Sequence, residues 1–376
     1  MAVRDLRELL AAFERLRERG EHGALVTVVR VLGSAYRRPG ARMLVAKDGS
    51  RVGLVSGGCL EADLAERARP VLETGRPILV TYDARQDEDL IFGLGLGCEG
   101  MIEVLIERVP ERQDGGHLAL IARCLIEREP LALATVFRSG GQVPIAARFW
   151  RVGGETGAAD FEDDQLVEML GRTASAVLSS QRHRNVTLET PQGPVEALVE
   201  ALLPASQLVL LGGGPDAEPV ARLAAQLGFE VTVVDHRAAL ARAERFPAAS
   251  RVVVCEPGRL LETVDLDPDA AVLVMSHAFA HDLGYLRQIL GRHRGYLGVL
   301  GPRRRTDRML DELAKQGMML SAEQRARLHA PVGLDIGAET PDEIAVSILA
   351  EIQAELTGRA GGRLRDRSAP IHDEEE

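Results

Sequence analysis

Lysine and aromatic residues are scarce in this chain. Lys47 and Lys315 are the only lysines among 45 basic residues, and aromatic residues make up 3% of the 376 positions. Neither lysine stands in the G-x-x-x-x-G-K-[ST] pattern that cradles nucleotide phosphates, which excludes a P-loop hydrolase. The net charge of -11 excludes a general nucleic-acid binder, because such a protein needs a basic face and aromatic stacking surfaces.

Cysteine is rare, and long apolar runs are missing. The four cysteines lie far apart and form no C-x-x-C pair; they are Cys59, Cys98, Cys124 and Cys255. This spacing argues against a disulfide framework or a structural zinc site and suits a reducing compartment. The sequence has no run of about 18 apolar residues and no secretory leader pattern at its start. It therefore predicts a cytoplasmic protein with no membrane partner and no nucleic-acid partner.

The order of strand and helix patterns predicts several domains. Mixed strands and helices predict an N-terminal α+β domain over residues 1–110 and an α+β continuation or linker domain over 111–204. From Gln207, apolar strands alternate with helices, which indicates a Rossmann-like doubly wound parallel sheet over 205–357. The charged residues 358–376 are expected to form a disordered tail. The predicted fold class is α/β, and no internal repeat is evident.

A cysteine is placed where a strand turns into a helix, in residues 54–61. Apolar residues precede the Gly57-Gly58 turn, and apolar residues from Leu60 onwards recur at helical spacing. Cys59 is therefore expected in the first helical turn. Unpaired backbone N–H groups and the positive end of the helix dipole would lower its pKa there, which is about 8.5 in a free thiol. A small buried residue behind a glycine turn is the alternative.

A glycine-rich turn follows the first strand of the C-terminal half. Gly212, Gly214 and Ala217 fit the pattern G-x-G-x-x-A between a strand and a helix. The first glycine permits the tight turn, the second lets a phosphate approach, and the small alanine lets the helix pack on the sheet. The next strand ends in Asp235, where a carboxylate can accept hydrogen bonds from a ribose. These features predict a Rossmann fold more firmly than they predict a ligand.

Other candidate ligand-binding residues follow later strands of the same half. Arg237 could face a phosphate or only solvent. His277 stands at the carboxyl edge where ligands of open α/β sheets bind, or it bonds the backbone at a helix start. Arg303 and Arg304, the first of three consecutive arginines at a strand-to-helix turn, form either an anion site for a phosphate ester or a solvated helix start. His277 and His281 lack a third ligand, so no zinc site is predicted.

These motifs in this order resemble the XdhC/CoxI family, accessory proteins that mature xanthine dehydrogenases and related molybdenum hydroxylases. The resemblance spans most of the chain. In the first half it is carried by Gly33-Ser34, Arg38-Pro39-Gly40, Met43-Leu44-Val45, Ser56-Gly57-Gly58-Cys59-Leu60-Glu61 and Gly95-Leu96-Gly97-Cys98. In the second half it is carried by the Gly212 turn, Val233 to Arg237, Ser276-His277, Tyr296 to Arg303 and Gly333 to Ala338.

The resemblance implies a protein that binds molybdenum cofactor, supports exchange of an oxo ligand for sulfide and hands the cofactor to a client hydroxylase. It adds Ser56, Gly57, Gly58 and Cys98 to the expected cofactor-binding residues. Expected partners are the client hydroxylase, a cysteine desulfurase and a second copy of the chain in a homo-oligomer.

The cofactor can be matched to the residues by its chemistry. Because molybdenum is thiophilic, Cys59 is the expected metal ligand. The pterin phosphate is expected at the Rossmann helix start near Arg303 and Arg304. One departure from the family is Glu99, where members often carry glycine. Its carboxylate would raise the pKa of Cys98 and reduce the reactivity of that thiol.

Two other functions fit parts of the sequence. The glycine-rich turn and Asp235 would also suit an NAD-dependent oxidoreductase, although only His277 is positioned as a catalytic acid. A scaffold that docks onto the hydroxylase without any ligand site is the third hypothesis.

Overall fold

The computed structural model describes residues 3–33, 35–83, 100–110 and 114–368. The chain forms two compact units, the first ending at Pro204 and the second starting at Ala205. The predicted α/β class, with a parallel sheet in the C-terminal half, is confirmed. The described part of the predicted tail, residues 358–368, contains a short 3-10 turn at Leu364–Asp366.

The first unit opens with an antiparallel sheet that has a helix on each face. Its elements are α1 (Val3–Glu18), β1 (Gly23–Gly33), β2 (Arg42–Ala46), β3 (Arg51–Gly53), α2 (Glu61–Thr74), β4 (Ile78–Asp83) and β5 (Gly100–Val109). The strand order is β3-β2-β1-β5-β4. Successive side chains of β1 point to opposite faces: Leu25 packs with α1, while Val26 and Val28 pack with α2.

Residues 116–202 build a second sheet of the same design. Its elements are α3 (Gly116–Glu127), β6 (Leu131–Ser139), β7 (Arg148–Val152), β8 (Glu155–Ala159), α4 (Asp164–Ser180), β9 (Arg184–Thr190) and β10 (Gly193–Leu202). The strand order is β8-β7-β6-β10-β9, which repeats the first sheet strand for strand. The two halves of the unit are therefore structural repeats, although no internal repeat is evident in the sequence.

The repeat extends to residue identity and to strand irregularities. In the first sheet Thr27 pairs with Arg42, and in the second sheet Thr135 pairs with Arg148. Each central strand also has an irregularity in its pairing with the neighbouring strand. The register shifts just after Val28 in the pairing of β1 with β5, and at the equivalent position in the pairing of β6 with β10; in both strands an arginine follows two residues later. The two halves share the same topology and have bulges and arginines at equivalent positions, so together they form one pseudo-symmetric unit.

Reciprocal buried ion pairs join the two repeats. The guanidinium of Arg42 donates to both carboxylate oxygens of Glu200, at 3.0 and 2.5 Å, and both side chains are 1% exposed. At the equivalent place, Arg148 donates to Glu107, and both side chains are buried. Each repeat thus contributes one arginine and one glutamate to its neighbour.

A second set of charges forms a closed ring between the repeats. Arg30 and Arg138 each pair with both Glu103 and Glu196. Beneath them lies a small apolar cluster to which both repeats contribute; it consists of Val29, Leu105, Phe137 and Leu198. The interface inside the first unit is therefore apolar at its centre and ion-paired around it.

The second unit is a six-stranded parallel sheet covered by helices. Its elements are β11 (Gln207–Leu211), α5 (Ala217–Leu227), β12 (Glu230–Asp235), β13 (Arg251–Val254), α6 (Leu260–Thr263), β14 (Ala271–Val274), α7 (Phe279–Ile289), β15 (Leu297–Val299), α8 (Arg303–Lys315), α9 (Ala322–Ala326), β16 (Leu328–His329) and α10 (Pro341–Leu356). The order β13-β12-β11-β14-β15-β16 is the doubly wound dinucleotide-binding order, with its switch point between β11 and β14.

Alternation along β11 explains how both faces of this sheet are covered. Leu208 and Leu210 pack with α5 and α10, whereas Val209 and Leu211 pack with α7 and α8. A strand buried on both faces must be apolar at every position, as the sequence pattern indicated. The carboxyl ends of β11, β12, β14 and β15 meet at one edge, where the predicted ligand-binding residues of this unit lie.

Candidate functional site

The Cys59 loop, residues 54–60, connects β3 to α2 and exposes its thiol to solvent. The helix begins at Glu61 with Leu60 as its N-cap, so Cys59 lies before the helix. The expectation that Cys59 sits in the first helical turn is therefore wrong. The carboxylate of Glu61 bonds backward to the loop, which delays the start of the helix beyond the cysteine.

Glu61 is a buried carboxylate that holds the start of the loop. It accepts hydrogen bonds from the backbone N–H of Val55 at 3.2 Å, from the N–H of Ser56 at 2.8 Å and from the Ser56 hydroxyl. Burial opposes ionisation of Glu61, but these hydrogen bonds outweigh it and hold the pKa of the carboxyl below its ordinary value. The loop is thus built around an ionised internal acceptor.

The Ser56 hydroxyl organises the rest of the loop. Its oxygen accepts the N–H of Gly58 at 3.2 Å and of Leu60 at 3.1 Å, and the Cys59 sulfur lies 3.6 Å from it. Its own proton goes to Glu61. Because this hydroxyl is engaged on all sides, Ser56 positions the loop, while the Cys59 thiol stays exposed to solvent.

The two glycines of the loop differ in what they require. Gly58 has φ +110, a left-handed conformation that favours glycine. Gly57 has no such constraint, and a Cβ built on it would lie 3.7 Å from the Tyr36 ring, an ordinary contact. The ring of Tyr36 therefore lies against the backbone of the Cys59 loop.

Strand register places several loops at one end of the first sheet. Gly53, the last residue of β3, pairs with Met43 of β2. Because β2 is antiparallel to both β1 and β3, β3 runs in the same direction as β1. The Cys59 loop therefore leaves the sheet at the end where β1 terminates. At that end Gly33 pairs with Gly100, the first residue of β5. Cys98 lies outside the described residues, and its predicted role stays a prediction.

The glycine-rich turn of the second unit is closed by backbone contacts. Gly212 has φ +138, and a Cβ on it would lie 2.5 Å from the Met275 carbonyl group and 2.6 Å from the Ser276 nitrogen. Gly214 has open space apart from the His277 ring, whose Cδ2 would be 3.8 Å from its Cβ. Buried Ala217 begins α5 as predicted for the third position of the motif.

Asp235 is buried, and its carboxylate is fully engaged. Oδ1 accepts from the backbone N–H and Nε of Arg237 at 2.8 and 2.9 Å. Oδ2 accepts from the N–H of Gly213 at 2.8 Å and from a terminal nitrogen of Arg237 at 2.9 Å. Neither oxygen is left to accept from a ribose, and Arg237 is turned onto the aspartate.

Acidification should weaken this turn. Burial opposes ionisation of Asp235, but Arg237 and the backbone N–H groups outweigh it and lower the pKa from 3.8 to about 2. A carboxyl whose pKa falls on folding stabilises the native state above pH 4 and loses that contribution as the pH falls towards 2, up to about 2 kcal/mol. Urea unfolding at pH 5 and pH 2.5 should show this loss, and Asp235→Asn should show a smaller pH dependence. Equal pH dependence in both proteins would contradict it.

His277 lies at the switch point with a strained backbone. Its φ is +61, uncommon for a non-glycine residue, and its Nε2 lies 2.9 Å from the carboxylate of Asp216. The imidazole is exposed and stands beside Gly214. The structure thus brings His277, Asp216 and the glycine-rich turn together at the sheet edge.

A second serine turn, missed by sequence reasoning, follows β14. The buried Ser276 donates its N–H and its hydroxyl to Asp282, at 3.2 and 2.5 Å, and Arg305 donates to the other carboxylate oxygen at 2.5 Å. The arrangement matches that of Ser56 and Glu61. A strand-end serine followed five or six residues later by an acidic residue in the first helical turn is the signal that could have found it.

The three consecutive arginines divide into one bound and two free side chains. Arg305 is held by Asp282, whereas Arg303 and Arg304 are exposed and have no ion-pair partner within the described part of the chain. They open α8, whose first turn contains no acidic residue. Two unpaired guanidinium groups at the positive end of a helix favour an anion there.

No metal centre is built from side chains of the described residues. His277 pairs with Asp216, while the His281 ring contacts that of His236 with centroids 3.8 Å apart. Groups of three or more histidine, cysteine or acidic residues able to hold a metal ion are absent from the parts of the chain that the structure describes. Among those same residues, no helix combines the length and apolarity needed to span a membrane.

Comparison with known proteins agrees with these features. Residues 208–352 match the family described as the XdhC Rossmann domain, and residues 16–83 match the XdhC and CoxI family. A Bacillus halodurans protein whose crystal structure is described as that of a xanthine dehydrogenase has a TM-score of 0.75 and 28% identity, with 98% of each chain covered.

Curated relatives extend the match over nearly the whole chain. A Bacillus subtilis protein named as a component of a probable xanthine dehydrogenase is 33% identical over 90% of this chain and 94% of its own length. The molybdenum cofactor insertion chaperone PaoD of Escherichia coli is 26% identical over 89% of this chain and 83% of its own. The predicted resemblance is confirmed: the chain belongs to the XdhC and CoxI family.

Proposed function

We propose that this chain is an accessory chaperone, not an enzyme, that binds molybdenum cofactor as cargo in the cytoplasm. It supports sulfuration of the cofactor and inserts it into a xanthine dehydrogenase-type molybdenum hydroxylase. The names of two relatives, one a component of a probable xanthine dehydrogenase and the other a molybdenum cofactor insertion chaperone, support this assignment.

The observation that carries the proposal is the exposed thiol of Cys59 on an internally bonded loop. Glu61 and Ser56 accept backbone N–H groups of the loop and hold its shape, and the thiol, which donates only weakly to Ser56 at 3.6 Å, stays exposed to a guest. Molybdenum prefers sulfur ligands, and an exposed loop lets cargo both enter and leave. Cys59 is the proposed metal ligand, and Gly57 and Gly58 let the cofactor approach the backbone.

The second unit, taken by itself, offers a proposed site for a phosphate group. Arg303 and Arg304 are exposed guanidinium groups at a helix start with no ion-pair partner among the described residues, and His277 stands beside the open Gly214. A phosphate monoester would satisfy the cationic first turn of α8, which otherwise opposes the helix dipole. Cys98 is a further proposed contact of the cofactor.

An NAD-dependent oxidoreductase is the less well supported function. The strand order and the Gly212 turn favour a dinucleotide, yet both oxygens of Asp235 are already bonded. The carbonyl of Gly213 also accepts from Arg245 at 2.6 Å, which braces the turn internally. Binding of NADH in the usual manner would require this network to open.

The proposed partners follow from the chemistry of the cargo. A sulfurated cofactor needs a sulfur donor, for which a cysteine desulfurase is the natural source, and it needs a client hydroxylase as recipient. We also propose a homo-oligomer.

Equilibrium dialysis of the purified full chain against molybdenum cofactor, and separately against NADH, tests the proposal. The chain should bind the cofactor, and Cys59→Ala should weaken binding about tenfold, which corresponds to about 1.4 kcal/mol for a lost metal contact. Glu162→Ala is the matched control, because Glu162 is an exposed residue of the loop before α4, the counterpart of the Cys59 loop in the second repeat. Tight NADH binding without cofactor binding would overturn the proposal.

A further inference from the structure

Tyr36 presents an aromatic ring to solvent, although the chain is poor in aromatics. Tyr36 is 68% exposed, and it is the one aromatic residue among the large exposed hydrophobic residues that the structure describes. The other described tyrosines, Tyr82, Tyr285 and Tyr296, are buried. An exposed tyrosine offers a flat apolar surface with a polar tip, a group that proteins use to hold planar ligands.

The ring of Tyr36 is anchored at the Cys59 loop. Three of its carbons lie 3.7 to 3.9 Å from the position of a Cβ on Gly57. Gly57 precedes Cys59 by two residues, so their Cα atoms are at most about 7.6 Å apart. An exposed thiol and an exposed aromatic ring therefore lie at neighbouring positions along the Cys59 loop.

Two exposed apolar residues lie at the same end of the first sheet. Leu32, near the end of β1, and Leu54, the first residue after β3, are both exposed large hydrophobic residues. The register of the sheet puts both chain segments at the end where the Cys59 loop leaves it. Exposed apolar residues at the sheet end that carries an exposed thiol suit a guest that combines a planar ring with a thiophilic metal.

We propose that Tyr36 stacks on the planar ring of the pterin while Cys59 approaches the metal. This inference rests on the proposed function and assigns two parts of the cargo, its ring and its metal, to two residues. Stacking does not involve the metal, so Tyr36 acts on metal-free molybdopterin as strongly as on the complete cofactor. Cys59, by contrast, distinguishes the two ligands.

Equilibrium dialysis of the full chain with metal-free molybdopterin and with complete cofactor tests this assignment. Tyr36→Ala should weaken binding of both ligands about fivefold, whereas Tyr36→Phe, which keeps the ring, should stay within about twofold of the unchanged chain. Cys59→Ala should weaken only the metal-containing ligand. Ile126→Ala is the control, because Ile126 is exposed on α3, and unchanged melting temperatures establish that each variant folds.

Three results would overturn the inference. If the unchanged chain binds both ligands and Tyr36→Ala binds them equally well, the stacking role fails while the proposed function stands. If Tyr36→Ala loses only co-purification with the client hydroxylase, the ring is a protein-docking residue instead. If the unchanged chain binds neither ligand, the proposed function fails and the stacking role fails with it.

Discussion

Replacing Gly212 with alanine should destabilise the second unit by about 4 kcal/mol or prevent it from folding. The new Cβ would lie 2.5 Å from the Met275 carbonyl group, and the positive φ of Gly212 would add backbone strain. The neighbouring backbone cannot retreat cheaply, because the N–H of Met275 bonds the carbonyl of Leu211 at 2.9 Å and joins the two central strands.

Gly214→Ala is the matched control for Gly212→Ala. Its Cβ would meet only the His277 ring at 3.8 Å, so the free energy of unfolding should stay within about 1 kcal/mol of the unchanged chain. Urea unfolding followed by far-UV circular dichroism measures both variants. If phosphate approaches this turn, Gly214→Ala should also weaken cofactor binding without loss of stability. Equal stability of the two variants would contradict the argument from backbone contact.

Replacing Glu200 with alanine should lower the free energy of unfolding by about 3 to 5 kcal/mol, because it leaves a buried guanidinium without its partner. Arg42 and Glu200 are each 1% exposed, and the burial that opposes ionisation of Glu200 is outweighed by the charge of Arg42, which holds the pKa of the carboxyl below its ordinary value. The fluorescence of Trp150, the single tryptophan of the chain, reports unfolding of this unit in urea.

The pseudo-symmetry of the first unit supplies a second test of the same effect. Glu107→Ala should cost a similar amount, since Arg148 is buried in the equivalent place. The exposed pair of Arg172 and Glu168 on α4 is the control, and Glu168→Ala should change stability by less than about 0.5 kcal/mol. Similar losses for Glu200→Ala and Glu168→Ala would show that burial of the pair contributes nothing.

Much of the second unit could be predicted from the sequence. The sequence predicts that alternating strands and helices begin at Gln207, and β11 begins there. Buried parallel strands are continuous apolar runs that end at glycine or polar residues, so the pattern marks both ends. The glycine-rich turn could also be predicted, because its conformation is a local property of Gly212.

The structural repeat in the first unit could not be predicted from the sequence. Its strands are built from interchangeable apolar residues, and its connecting segments differ in length, so few identities survive, such as Thr27 with Thr135 and Arg42 with Arg148. Topology, not residue identity, carries the relationship. The predicted helix start at Cys59 was wrong for a related reason. The carboxylate of Glu61 accepts hydrogen bonds from N–H groups of the loop, and helix propensity does not predict such a contact.

The sequence by itself determined the alternation of strands and helices, the glycine-rich turn and the family, because these depend on neighbouring residues and on motif order. Only the tertiary structure decided that Arg42 meets Glu200, 158 residues away, and that the ring of Tyr36 lies on the Cys59 loop. It also decided that Asp235 is engaged by Arg237 and Gly213. The sequence does not show whether a carboxylate or an aromatic ring already has an interaction partner. That partner is determined by which segments the fold brings within bonding distance.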